Sequence, residues 1–144
     1  LVVLTVQIIW GAFTAGLGAG HIYNTWPLMN GEFMPENVCA FGNWVTDFTG
    51  HRDGVQFIHR NLAYLVALGM LLFALLPKHE RALAKPNLLM LVMVLVQFLL
   101  GVLTIVWQVP IVLGVLHQFG AVLLLCTVLN VMHKTGRTIT STPA

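Results

Sequence analysis

Charge is what this 144-residue sequence has least of: Asp, Glu, Lys and Arg together make up 8% of it, where a soluble domain carries about 25%. So few charges cannot cover a soluble globule, whereas the 58% of hydrophobic residues suits a surface that faces lipid. Basic runs are also missing. The seven Lys and Arg are scattered and the net charge is only +2, which excludes a nucleic-acid groove. Cysteine is scarce: Cys39 falls in a polar loop and Cys126 inside an apolar run, so no disulfide framework is expected. There is no Gly-rich phosphate loop, paired-carboxylate site or nucleophile elbow, and Met29, Met34 and the other methionines do not gather into a copper site. The sequence opens on Leu-Val-Val-Leu, with neither Met nor the basic start and cleavage site of a signal peptide. We expect a piece whose N-terminal portion is missing.

What is present is a set of four apolar runs, at about residues 1–17, 55–76, 88–107 and 111–132. A helix needs about 20 apolar residues to cross ~30 Å of hydrocarbon, so the last three comply and the first is short. Backbone groups in lipid have no water to bond with, which requires helices there; β-barrel strands would be shorter and would alternate. The expected fold is all-α: one integral membrane four-helix bundle covering residues 1–144, with a long outer loop at 18–54. Lys78, Arg81 and Lys85 between the second and third runs, and Lys134 and Arg137 in the tail, mark the cytoplasmic or matrix side. Both ends of the segment are therefore expected inside, and the 18–54 and 107–111 links outside. Within the long loop, Val38, Phe41, Val45 and Phe48 recur at helical spacing near Trp44 and Tyr23, which predicts a short helix lying in the interface. Residues 23–28 read as a turn, with Pro27 turning Trp26 away from helix.

A helix pair is written twice. Val6-Gln7-x-x-x-Gly11 in the first run matches Val96-Gln97-x-x-x-Gly101 in the third, and His59-x-x-x-Ala63 in the second matches His117-x-x-x-Ala121 in the fourth. Both copies enter from the same side, so the repeat is a pseudo-twofold about the membrane normal. His59 and His117 then sit at one depth, ~8–9 Å below the outer helix ends. That is the geometry for clamping one flat ligand, and a heme iron takes one axial imidazole on each face. Gly114, Gly120, Ala121 and Ala63 would leave room for a macrocycle; equally, small residues let helices approach while histidines bond across the interface. Arg60, with Arg52 and His51 above it, could neutralise propionates or snorkel to headgroups, and Asp53 could simply pair with Arg52. Gln7, Gln97 and Gln118 read as interhelical hydrogen bonders, and Tyr64 as packing. His21 could face solvent, and His79 and His133 belong to the inner edge.

These residues resemble a known family. Val6-Gln7-Ile8-x-x-Gly11-Ala12-Phe13-Thr14-Ala15-Gly16-Leu17, Ala19-Gly20 and Tyr23-Asn24-Thr25-Trp26-Pro27-Leu28-Met29-x-Gly31, with Val55-Gln56-Phe57-Ile58-His59-Arg60, Val109-Pro110 and His117-Gln118, are similar to the heme A synthases, nearest to the proteobacterial and mitochondrial form. The resemblance covers nearly the whole chain. It implies the C-terminal half of an eight-helix protein built of two four-helix halves, each with a histidine pair. It implies that His59 and His117 are the axial ligands of a heme b. It also implies membership of an oxidoreductase that converts the methyl group of heme O to the formyl group of heme A by successive hydroxylations, for cytochrome oxidase assembly. The substrate heme and an intramembrane glutamate belong, in that family, to the half not present. Some bacterial relatives carry an outer-loop cysteine pair, whereas Cys39 is alone in its loop.

The implied partners are heme O as substrate, membrane lipid, an external electron donor, heme O synthase and a second copy of the chain; nucleic acid is not among them. The implied location is a bacterial inner membrane or the mitochondrial inner membrane. The catalytic residues are expected in the other half, so this segment alone should be inactive. A membrane b-type cytochrome subunit that only carries electrons is the main alternative. It would usually add histidines in the inner halves of its helices, and His133 at the extreme end is the nearest to that pattern. A purely structural or transport four-helix module would leave the family-like loop unexplained.

Overall fold

The computed structural model describes residues 1–75 and 83–141, the last five of these by backbone alone. Its elements are α1 (Val2–Gly16), α2 (Arg52–Leu75), α3 (Ala84–Val106) and α4 (Ile111–Ser141), with no strand among the described residues. The chain is an all-α membrane bundle. α2, α3 and α4 are each long and apolar enough to cross a membrane; α1, at 15 residues, is ~22 Å long and falls short of the hydrocarbon thickness. Lys78, His79 and Arg81 lie outside the described residues.

The helix ends follow local chemistry. Pro86 sits in the first turn of α3, where the missing N–H would have no intrahelical acceptor. Pro110 stands just before α4, and its carbonyl accepts the Gly114 N–H at 2.9 Å. Between α3 and α4 the chain reverses through Gln108 (φ 60°) and Val109 (φ 59°), both left-handed; a β-branched residue there is strained. The Val109 side chain is packed onto Gly20, where a Cβ would come within 2.9 Å of its Cγ2. Three boundaries differ from the sequence reading. α2 begins earlier, at Arg52, α3 begins earlier, at Ala84, and α4 continues beyond residue 132 to Ser141. Helix geometry does not end where hydrophobicity does.

α1 packs along α2 and α3 along α4, and the α2–α3 contact joins the pairs. The apolar core is contributed by all four helices: Leu4, Val66, Met90, Val94, Leu124, Val128 and Val131 are buried together. Leu4 lies seven residues before Gly11, and Val94 seven before Gly101. Val66 lies seven after His59, and Leu124 seven after His117. Seven residues are about two turns, so each pair shares a face roughly 10 Å apart in depth. Because α1 and α3 run opposite to α2 and α4, all four core residues fall on the same side of the histidines. They form a floor beneath them.

The long loop is a stitched cap and not the single interfacial helix the spacing predicts. It contains 3₁₀ turns at Ala19–His21 and Glu36–Cys39 and a π-helical turn at Thr46–Gly50. Val38 is fully buried, whereas Phe41, Trp44 and Val45 are exposed. The physical reason lies in Asp47 and Gly42. The Asp47 carboxylate, 2% exposed, accepts the backbone N–H of Phe41 at 2.9 Å and of Asn43 at 3.0 Å, and Gly42 takes φ +63°, so the chain turns where a helix would continue. Trp10 Nε1 donates to the Phe48 carbonyl at 2.9 Å, and Asn24 Nδ2 reaches the carbonyls of Gly20 and Ile105. Tyr23 donates its phenol proton to Asp53 at 2.7 Å. Burial, then the hydrogen bond and charge of Asp53, push the Tyr23 phenol up to about 12.

Gly54 is the narrowest point of this cap. A Cβ there would collide with the Asp47 carbonyl oxygen and meet the Val38 carbonyl oxygen at 3.1 Å; both are backbone atoms and cannot swing aside. Gly54→Ala should therefore cost about 1–3 kcal/mol, read as a lowered thermal unfolding midpoint in detergent. Gly69→Ala, at a position with open space around it, is the control, and equal midpoints for the two variants would refute the account. A second expectation concerns pH. The Tyr23 phenol is raised in the folded protein, so its contribution to stability is complete below the ordinary tyrosine value of 10.0 and is lost as pH rises through about 12. A tyrosinate absorbance titration should show a component near that value which Tyr23→Phe removes.

Candidate functional site

The two repeated histidines face each other across the bundle. His59 is the eighth residue of α2 and His117 the seventh of α4, and their ring centres stand 6.5 Å apart with the planes at 86°. Two imidazoles bound to opposite faces of one metal, each nitrogen about 2 Å from it and each ring centre about 1.1 Å further out, would stand about 6.2 Å apart. The observed spacing matches that arrangement. Both residues are half-buried above the apolar floor.

Each imidazole rests on a glycine of the neighbouring helix. A Cβ at Gly11 would lie 3.1 Å from Cε1 of His59, and a Cβ at Gly101 would lie 2.9 Å from Cε1 of His117. The glycine of each Gln-x-x-x-Gly motif is therefore the seat of the opposing histidine ring. The sequence displays these glycines as a repeat but does not say what touches them. Four residues before each sits a glutamine. Gln97 Nε2 donates to the His117 carbonyl at 2.7 Å and lies 3.1 Å from its Nδ1, the interhelical bond the sequence reading anticipates. Gln7 Oε1 and His59 Nδ1 are buried without partners. Gln118 is exposed on the outer side of α4.

Of the small residues expected to leave room for a macrocycle, Gly120 has a different use. It is buried, and a Cβ on it would collide with Gln97 Oε1. Gly114 has open space where its side chain would be.

The arginines have well-defined partners. Arg60 is 6% exposed; its Nη2 donates to the carbonyls of Tyr23 at 2.7 Å and Thr25 at 2.8 Å, and its Nη1 reaches that of Leu28 at 3.5 Å. Gln56 Nε2 adds a bond to the Tyr23 carbonyl at 3.1 Å. These contacts fix residues 23–28 against α2 beside His59. Arg52 is exposed and donates to the Gly18 carbonyl at 2.8 Å. Asp53 pairs with His51 at 3.3 Å as well as with Tyr23, so it does not serve Arg52. Cys39 and Cys126 are both free thiols.

The sequence matches, over residues 1–129, a family described as cytochrome oxidase assembly protein, COX15-CtaA. Curated relatives named heme A synthase are similar to it: 44% identical in Flavobacterium psychrophilum over 93% of this chain and 41% of the relative, 45% in Maricaulis maris over 83% and 36%, and 42% in Wolbachia pipientis over 82% and 33%. The chain thus spans about two fifths or less of the length of these relatives. No solved structure matches it. With a family match over most of its length and relatives this similar, the chain belongs to the heme A synthase family.

Proposed function

We propose that this chain is the C-terminal, heme-binding half of a heme A synthase, and that His59 and His117 hold the iron of one heme b between α2 and α4. The observation that carries this reading is the 6.5 Å separation of the two imidazole centres, supported by the glycine seats that let both rings stand there. Among the described residues, no group of three or more His, Cys, Asp or Glu side chains could hold a metal ion. An ion bound here would have to bring its own equatorial ligands, as a macrocycle does.

When bound, such a heme supplies reversible one-electron transfer, because two axial imidazoles leave the iron no open position. The chain's own contributions are separable. Leu4, Val66, Val94 and Leu124 give the group an apolar floor and keep water from the inner side. Arg60 and Gln56 hold the 23–28 segment as a roof. Arg52, the exposed cation at the head of α2, is the partner we propose for a propionate at the outer edge. Arg60 would act on the same edge through the carbonyls it holds, its Nε being the one nitrogen left without a partner.

The full protein would then oxidise the methyl group of heme O to the formyl group of heme A by successive hydroxylations, as an oxidoreductase serving cytochrome oxidase assembly. The catalytic residues would lie in the half beyond this chain, so this chain alone would not turn over heme O. Electrons would come from an external donor. Heme O synthase and a second copy of the chain are further proposed partners. We place the protein in a bacterial or mitochondrial inner membrane, with both ends of this segment on the cytoplasmic or matrix side. An electron-carrying b-type cytochrome subunit would share the histidine clamp. The closed apolar packing of the inner half favours a single heme and so disfavours that reading.

The absorption spectrum of the purified chain supplied with heme should be that of a low-spin bis-histidine species, and His59→Ala and His117→Ala should each abolish it. Failure of the unmodified chain to bind heme would overturn the ligand assignment. Turnover of heme O by this chain alone would instead overturn the division of labour between halves.

A further inference from the structure

The two histidines are related by the repeat, yet their surroundings differ, and one of the differences bears on the glutamines. Gln97 and Gln7 occupy equivalent places, as do Gly101 and Gly11, and His117 and His59. Counting from the histidines, α4 then has Gly120 where α2 has Leu62. Gly120 provides the space in which the Gln97 amide lies, with Oε1 against the glycine and Nε2 on the carbonyl and Nδ1 of His117. At the α2 position a leucine side chain stands in place of that glycine. Gln7 Oε1 and His59 Nδ1 are both buried without a side-chain partner.

We infer that Gln97, seated on Gly120, is a positioning residue that tethers His117, making it the fixed ligand of the clamp and leaving His59 as the exchangeable one. This rests on the bis-histidine reading above. An imidazole that binds a metal through one nitrogen carries a proton on the other, and a partner for that N–H orients the ring and raises its basicity. A half-turn of the Gln97 amide brings the unpartnered Oε1 to that protonated nitrogen, giving up the bond to the His117 carbonyl in exchange. The Gly101 seat limits sideways motion of the same ring, with 2.9 Å from a notional Cβ to Cε1. His59 has its glycine seat but no side-chain tether. If one ligand leaves the iron, it is His59, and the α1–α2 side is where an added ligand enters.

The test is heme retention, followed as the rate at which the heme-loaded protein gives up its heme to excess heme-free globin. His59→Ala should keep a high-spin heme on the tethered His117, while His117→Ala should lose it about tenfold faster, the lower end of the usual effect of removing such a partner. In the His59→Ala background, Gln97→Met should raise the loss rate to that of His117→Ala. Gly120→Ala should do the same with Gln97 still in place, whereas Gln7→Met should leave the rate unchanged. Gln97→Glu, which keeps an acceptor for the ring N–H, should retain the heme. Helical circular dichroism of each variant checks that the bundle is intact. Equal loss from the two histidine variants, or a difference that Gln97→Met does not remove, would overturn the inference while the bis-histidine reading stands. An unmodified chain that forms no low-spin heme would bring down both.

Discussion

The structure depends on two places where a helix backbone meets an imidazole with nothing between them. At Gly11 and Gly101 the α1 and α3 backbones come so close to His59 and His117 that even a methyl group would sit 3.1 and 2.9 Å from the ring carbons. Helices in lipid gain little from burying apolar surface against one another, so close backbone approach and polar contacts must supply the association. Here the approach is made to the two repeated histidines themselves. The same contact packs α1 on α2 and α3 on α4 and restrains the ring that faces the bundle axis. A bulkier residue at 11 or 101 would therefore disturb helix packing and ligand geometry together.

Above that level the molecule solves a different problem. A loop of more than 30 residues covers the end of the bundle next to the histidines, and its backbone groups need partners wherever water is excluded. Two buried charged side chains supply several of them. Arg60 offers donors to three carbonyls on one side, and Asp47 accepts two N–H groups on the other. A buried arginine is costly in a membrane span unless its donors are satisfied, and convergent carbonyls are well suited to its planar fork. The roof is thus held by the same helix that carries His59, one residue along.

Much of this was legible in the sequence, for identifiable reasons. Helical spans follow from run length because lipid admits few alternatives, and the shared depth of His59 and His117 follows from equal distances to the outer helix ends. The repeated Gln-x-x-x-Gly motif was visible, but its use was not, since a glycine in a membrane helix signals only that something approaches. Arg60 was ambiguous for a related reason: the carbonyls it holds lie more than 30 residues away, and no local pattern announces them. The loop misled through periodicity. Val38, Phe41, Val45 and Phe48 have helical spacing, but Gly42 and Asp47 between them define a turn, and local turn chemistry outweighs a weak apolar stripe.

The position that separates the two copies, Leu62 against Gly120, carries the most consequence for the least sequence change. A perfect repeat would give two equivalent ligands and a clamp that opens on either side with equal ease. With leucine in place of glycine, the α2 copy has no counterpart of the Gln97 contact, Gln7 Oε1 and His59 Nδ1 lack side-chain partners, and the clamp we infer has a direction. A duplicated helix pair can acquire unequal ligands without altering the ligands themselves, because the difference lies one layer further out. Depth and spacing, set by the backbone, keep the two ring centres 6.5 Å apart, the distance on which the proposed clamp rests. Their inequality is set by whether a neighbouring side chain has room to reach them.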